Sequence, residues 1–240
     1  MNNKTKLFES KVVDVHDGGV HLSGNIYLAS ETKSWIIFAH GSGSSHKSVR
    51  NISVAEELAR DGHSVLLFDL LTLDEDNYYH NRFDIPLLTS RLVMATKWLR
   101  NSQYYLSDTP IGYFGASTGS AAALTAAANT FINKSIYAIV SRGGRPDMVD
   151  RAILRSIEIP TLLIVGGSDG EVIKLNDKAQ LSLSNSQKVI VPNATHLFEE
   201  PGALEEVIGY ALNWYNDHLS DYLHKQQIPK QSLNEMGLGF

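Results

Sequence analysis

At 240 residues, 43% hydrophobic and 20% charged, the chain is long enough for one well-covered core and short for two. Lys and Arg total 21 against 26 Asp and Glu, giving a net charge of -5 with no polybasic run, which excludes the electrostatic footprint of a non-specific nucleic-acid binder. With no cysteine there can be no disulfide, thiolate zinc site or cysteine nucleophile. No apolar run approaches the roughly 20 residues of a membrane helix, so the default expectation is a soluble, cytoplasmic protein that engages neither membrane nor nucleic acid.

In chain order, Lys11–Val15 and Val20–Leu28 flank Asp17-Gly18-Gly19, a turn tolerant of positive φ, and read as an antiparallel hairpin. Trp35–Ala39 is a continuous apolar run, as expected of a strand buried on both faces, and leads into the loop HGSGSSHKS. Val49–Arg60 reads as a helix, His63–Asp69 as the next buried strand, Leu73–Arg82 as a polar surface loop and Ile85–Leu99 as a helix. Pro110–Phe114, Ile136–Ser141, Thr161–Val165 and Lys188–Val191 read as further strands. Helices are expected at Ser117–Asn129, Val172–Leu183 and about Pro201–His218.

Strands alternating with helices predict an α/β fold, a mostly parallel sheet of about eight strands covered on both faces. Residues 1–220 are expected to form one domain. HKQQIPKQSLNEMGLGF has no periodicity, so 221–240 reads as a tail, mobile or an oligomer contact, which leaves a homodimer open.

Gly115-Ala116-Ser117-Thr118-Gly119 fits G-x-S-x-G, a sharp strand-to-helix turn that presents one exposed serine. A second match, Gly166-Gly167-Ser168-Asp169-Gly170, also follows an apolar strand and precedes a helix. The residue after a nucleophilic serine donates its N–H to the developing oxyanion, and Asp169 would set a negative side chain there, whereas Thr118 would not. The sequence SAAALTAAA after Ser117 also suits a central buried helix, while EVIKLNDKAQL suits the periphery. Ser117 is therefore the candidate nucleophile.

A serine hydroxyl needs a base oriented by a carboxylate. When the order is Ser, then Asp or Glu, then His, only His196, His218 and His224 follow Ser117, and only His196 sits in a loop just past the last strand. Asp169 directly follows the strand TLLIV, at the carboxyl edge where catalytic groups gather in open α/β sheets, with Glu171 in reserve. Ser42 and Thr118 are assigned as the two oxyanion N–H donors. His40 reads as a structural anchor at a strand end.

Arg142 and Arg145 in SRGGRPD are candidate substrate-binding residues for a carboxylate or phosphate, set against pairing with Asp147, Asp150 or Glu158. Lys47 and Arg50 could add positive charge. His16, His21, His63 and His80 show no metal-ligand spacing, and no cofactor or metal is inferred. A rival reading is a degenerate P-loop in GSGSSHKS with Asp69 as the magnesium-holding aspartate, but His46 stands where the second glycine belongs.

HGSGSS, FDLLT, FDIPLL, GYFGASTG, SRGGRPD, LLIVGGSD and ATHLFEEPGAL together resemble the dienelactone-hydrolase-like branch of the α/β hydrolases, over about Trp35 to Trp214. The likeness is closest to a bacterial subgroup often fused behind a phosphoribosyltransferase domain. The resemblance implies the α/β-hydrolase fold with a minimal cap, about Arg145–Ile157, and Ser117, Asp169 and His196 as a triad acting on a small-molecule ester, lactone or thioester. Dienelactone hydrolases proper carry cysteine as nucleophile where this chain has serine. An acyltransferase on the same fold and a non-catalytic binding module are the further alternatives.

Overall fold

The computed structural model describes residues 7–129 and 132–235, the last helix from 227 onward as backbone alone. Eight strands, β1 (Phe8–Asp17), β2 (Val20–Ala29), β3 (Ser34–Ala39), β4 (His63–Phe68), β5 (Ile111–Ala116), β6 (Ile136–Arg142), β7 (Thr161–Gly166) and β8 (Ser186–Val191), form one sheet. Their order is β1-β2-β4-β3-β5-β6-β7-β8. The hairpin β1–β2 and the pair β2–β4 are antiparallel, and the remaining neighbours are parallel.

Parallel strands covered on both faces must be apolar along their whole length. Thus β3, β4, β5 and β7 are buried at every residue. On one face pack α3 (Ile85–Asn101), α4 (Thr118–Ala127), α5 (Arg151–Ser156) and α6 (Gly170–Gln180), contributing Leu92, Leu99, Ala122, Leu154 and Ala179 to the core. On the other lie α1 (Val49–Arg60) and α7 (Ala203–Glu235), contributing Val54, Leu58, Val207, Ala211 and Tyr215. From β3 the chain crosses to β4 on one side and then returns past β3 to β5 on the other. Such a reversal opens a crevice at the carboxyl ends of the strands, where open α/β sheets bind ligands.

Two segments differ from the sequence expectation. Leu73–Arg82 is structured: Leu73–Asp76 forms a short helix, α2, and Tyr79–Phe83 a 3₁₀ turn. A reciprocal capping box between Thr72 and Glu75 starts it, and Arg82 grips the Asp76 carboxylate with two bonds of 2.8 and 3.0 Å. The polar composition read as a loop is thus spent on caps and ion pairs. Likewise, α7 continues past His218 through Glu235, so most of the expected tail is helical, and 236–240 lie outside the described residues. Tyr222 anchors this extension, its hydroxyl donating to Lys134 O at 2.9 Å. Among the described residues no helix is long and apolar enough to cross a membrane.

Candidate active site

Ser117 sits between β5 and α4 with φ 50° and ψ -120°, a left-handed conformation that a non-glycine residue adopts only when its surroundings force it. The forcing is visible at the flanking glycine. A Cβ on Gly119 would lie 2.0 Å from Ala39 O and 2.4 Å from His40 O, so only glycine lets α4 start this close to the end of β3. Ser168 has no such backbone: the non-glycine residues at positive φ are Asp108, Ser117, Asn193 and Phe198 among those described. A Cβ on Gly170 would meet nothing within 4 Å. The second G-x-S-x-G is an open turn into α6, with Asp169 as the helix N-cap.

His196 reaches the serine from the loop after β8. Its Nε2 lies 3.2 Å from Ser117 Oγ, and its Nδ1 lies 2.8 Å from Asp169 Oδ2. A carboxylate can only accept here, so Nδ1 carries the proton and Nε2 is left as the acceptor for the serine hydroxyl. The loop is held from below by Phe198, buried at positive φ. Gly143, at φ 53°, turns the loop after β6 beside the imidazole, where a Cβ would lie 3.4 Å from the ring. Asp169 Oδ1 also accepts the Val172 N–H at 3.4 Å. Capping of α6 and the partnership with His196 therefore coexist on one carboxylate.

Thr118 N–H is one of the orphan donors of the first turn of α4. Ser42 is differently placed from the simple expectation. Its N–H donates to Thr118 Oγ1 at 3.0 Å, so this donor already has an acceptor. His40 is an anchor: Nδ1 donates to Gly41 O at 2.9 Å and Nε2 accepts the Leu70 N–H at 2.9 Å, which consumes both ring nitrogens. Burial lowers its pKa and keeps it neutral. His46 is tied to Asp69 twice, by its N–H at 2.7 Å and its Nδ1 at 2.8 Å. Asp69 thereby pins the glycine-serine loop.

The two arginines part company. Arg145 is held by Asp147 through two bonds of 2.8 Å. Arg142 lines a cleft of about 380 Å³ together with Ser117, His196, Lys47 and Arg50. Its Nη2 donates to Asn51 Oδ1 at 3.4 Å, its guanidinium carbon lies 5.9 Å from the Phe114 ring centroid, and its buried Nη1 has no protein acceptor. Burial, reinforced by the Arg50 charge, lowers its pKa to about 10. Pro146–Met148 and α5 are the short helical pieces that stand where a cap would be.

Sequence spacing missed one cluster. Register pairs His16 with His21 across the hairpin and brings Asp14 to the same side, so one possible ligand atom from each lies within 4.8 Å of the others. The signal was cross-strand, and becomes readable only once the Asp17-Gly18-Gly19 turn fixes the register.

An eight-stranded, mostly parallel sheet with helices on both faces and a strained serine at its central strand defines an α/β hydrolase fold. No family profile matches the chain. It is 45% identical to a dienelactone hydrolase of Anabaena variabilis whose crystal structure superposes with a TM-score of 0.82, covering 89% of this chain and 99% of that one. The chain belongs to the dienelactone-hydrolase-like family. Est1E from Butyrivibrio proteoclasticus shares the fold at 15% identity with a TM-score of 0.73, over 87% of this chain and 99% of that one. In Mycobacterium tuberculosis, strains CDC 1551 and H37Rv, a protein named "Putative phosphoribosyl transferase" is 50% identical over 208 residues, 86% of this chain and 46% of the relative. The chain thus spans about half the length of the curated relatives it matches.

Proposed function

We propose that the protein is a serine hydrolase of small esters, lactones or thioesters, acting through Ser117, His196 and Asp169 by way of an acyl-enzyme. The observation that carries this reading is the continuous line of contacts, 3.2 Å from Ser117 Oγ to His196 Nε2 and 2.8 Å from His196 Nδ1 to Asp169 Oδ2, on a serine with φ 50°. His196 Nε2 takes the Ser117 proton as Oγ attacks the acyl carbon, and Asp169 stabilises the imidazolium. Collapse of the tetrahedral intermediate breaks the ester bond, and His196 returns the proton to the leaving alkoxide or thiolate. Water then attacks the acyl-serine, giving its proton to Nε2, and the second tetrahedral intermediate collapses by breaking the bond to Ser117 Oγ, which takes that proton back as the acid leaves. The Thr118 amide, joined by the Ser42 amide once it leaves Thr118 Oγ1, would donate to the charge that develops on the carbonyl oxygen.

The same residues would acylate an alcohol if one displaced water, so acyl transfer is the companion reading on this site. Family membership supports hydrolase chemistry, since the Anabaena variabilis protein is named a dienelactone hydrolase. The test is labelling with a fluorophosphonate followed by peptide mapping, then turnover on an ester panel with and without added alcohols. Label on Ser117 and release of free acid support the proposal; label on Ser168, or none on folded protein, overturns it.

A further inference from the structure

The cleft beside Ser117 carries charge that the protein does not neutralise. Three cations line it, Lys47, Arg50 and Arg142, and no Asp or Glu is among its walls. Among the described residues only Arg50 of the three has a carboxylate partner, Glu199, which pairs with its Nη1 at the rim. Arg50 Nε is buried and lacks an acceptor, as is Arg142 Nη1. The Arg142 guanidinium has the neutral amide of Asn51 and the Phe114 ring beside it, and among the described residues no carboxylate lies within ion-pair distance of it or of the Lys47 ammonium. Buried guanidinium donors cost free energy unless something accepts from them. Two like charges around one cleft add to that cost, and the Arg50 charge already makes it harder for Arg142 to hold its proton.

The remaining wall is hydroxyl-rich, with Ser44, Ser45 and Ser48 in the same loop. Among the residues that line the cleft, Lys47 and Arg142 stay unpaired once Glu199 is counted against Arg50, the Asp169 carboxylate standing one residue further back behind His196. A carboxylate would balance one of them and offers two coplanar oxygens. A phosphate monoester balances both, with three oxygens on a tetrahedral centre that can reach guanidinium forks and serine hydroxyls together. We propose that the acyl substrate carries a phosphate-monoester group, gripped by Arg142 and Arg50 with Lys47 at the rim, while the scissile ester lies over Ser117. The phosphate is a handle in this scheme and no bond to phosphorus changes. The inference rests on the reading of Ser117 as the nucleophile.

The test is calorimetric titration of the full chain bearing Ser117→Ala with phenyl phosphate, benzoate and benzyl alcohol at low ionic strength. Phenyl phosphate is expected to bind at least tenfold more tightly than benzoate, with no measurable heat from benzyl alcohol. In the same background Arg142→Gln and Arg50→Gln should each weaken phenyl phosphate at least tenfold while circular dichroism stays unchanged. Should Arg142→Gln fail to fold, Arg142→Lys, which keeps the charge and loses the fork, together with Arg50→Gln carries the measurement. Benzoate binding as well as phenyl phosphate, no binding of either, or affinity indifferent to the arginines overturns the inference. Fluorophosphonate labelling of the parent chain separates the two readings. Label on Ser117 without phosphate binding removes the handle alone, whereas phosphate binding without label removes the nucleophile.

Discussion

Ser42 gives its backbone N–H to Thr118 Oγ1 at 3.0 Å, so the two residues assigned to the oxyanion are bonded to each other. An oxyanion arriving between them must take this donor from the threonine hydroxyl. The hydroxyl therefore satisfies a half-buried N–H and would compete with the transition state for it. Thr118→Val removes the acceptor at nearly constant shape. Its expected cost is about 1 kcal/mol of stability, the usual worth of a hydrogen bond, with kcat/KM equal to or above the parent's. A fall of 100-fold, read from initial rates, would show instead that the hydroxyl itself donates to the oxyanion.

Ser117, His196 and Asp169 should act as a unit. Replacing Ser117 or His196 by Ala is expected to lower turnover by several orders of magnitude, with the double replacement little worse than either alone. Both side chains stand at the cleft and not in the core, so thermal unfolding should stay close to the parent's. Additive losses in the double variant would mean that the two residues serve separate steps.

Much of this was legible in the sequence, for reasons that differ by element. The buried strands announced themselves because β3, β4 and β5 admit no polar face, and the order of Ser117, Asp169 and His196 followed from topology once the strands were placed. What escaped depends on contacts between residues distant in the chain. Polar Leu73–Arg82 reads as a loop until Arg91 is seen on Glu75 and Arg82 on Asp76. Leu219, Tyr222 and Leu223 continue the helical stripe of Tyr215 past His218, but nothing local reveals that Tyr222 ties this run to Lys134. In SRGGRPD pairing with Asp147, Asp150 or Glu158 stays open for both arginines, and the fold shows that Asp147 neutralises Arg145 while Arg142 lines the cleft.

The two G-x-S-x-G turns differ most in their last glycine. At Gly119 an added Cβ would overlap the backbone oxygens of Ala39, the last residue of β3, and of His40 just past it, which cannot move without displacing that strand, whereas at Gly170 it would enter open space. Gly119→Ala is therefore expected to abolish accumulation of folded protein. Gly170→Ala, at the first residue of α6, should be neutral or stabilising by up to roughly 1 kcal/mol, since alanine is the better helix former. Expression yield and urea midpoints for the pair decide it, and equal tolerance at both positions would contradict the close packing of α4 on β3.

Acid sensitivity should come from a buried imidazole remote from the chemistry. His63 is fully buried at the start of β4, its Nδ1 2.8 Å from Ser34 Oγ, and burial lowers its pKa from 6.5 to about 4 despite the nearby Asp61. Between these two values the unfolded chain binds a proton that the folded chain refuses. The sign is thus fixed: stability present above about pH 6.5 is lost as pH falls toward 4. A shift of this size corresponds to about 3 kcal/mol. His40, also held neutral by burial, adds in the same direction. Urea unfolding at pH 7.5, 6, 5 and 4.5 should show this decline in the parent. In His63→Asn, which can keep a bond to Ser34 without a titrating group, the chain should start less stable at pH 7.5 and lose less on acidification. Parallel declines in the two proteins would assign the acid limb to other groups.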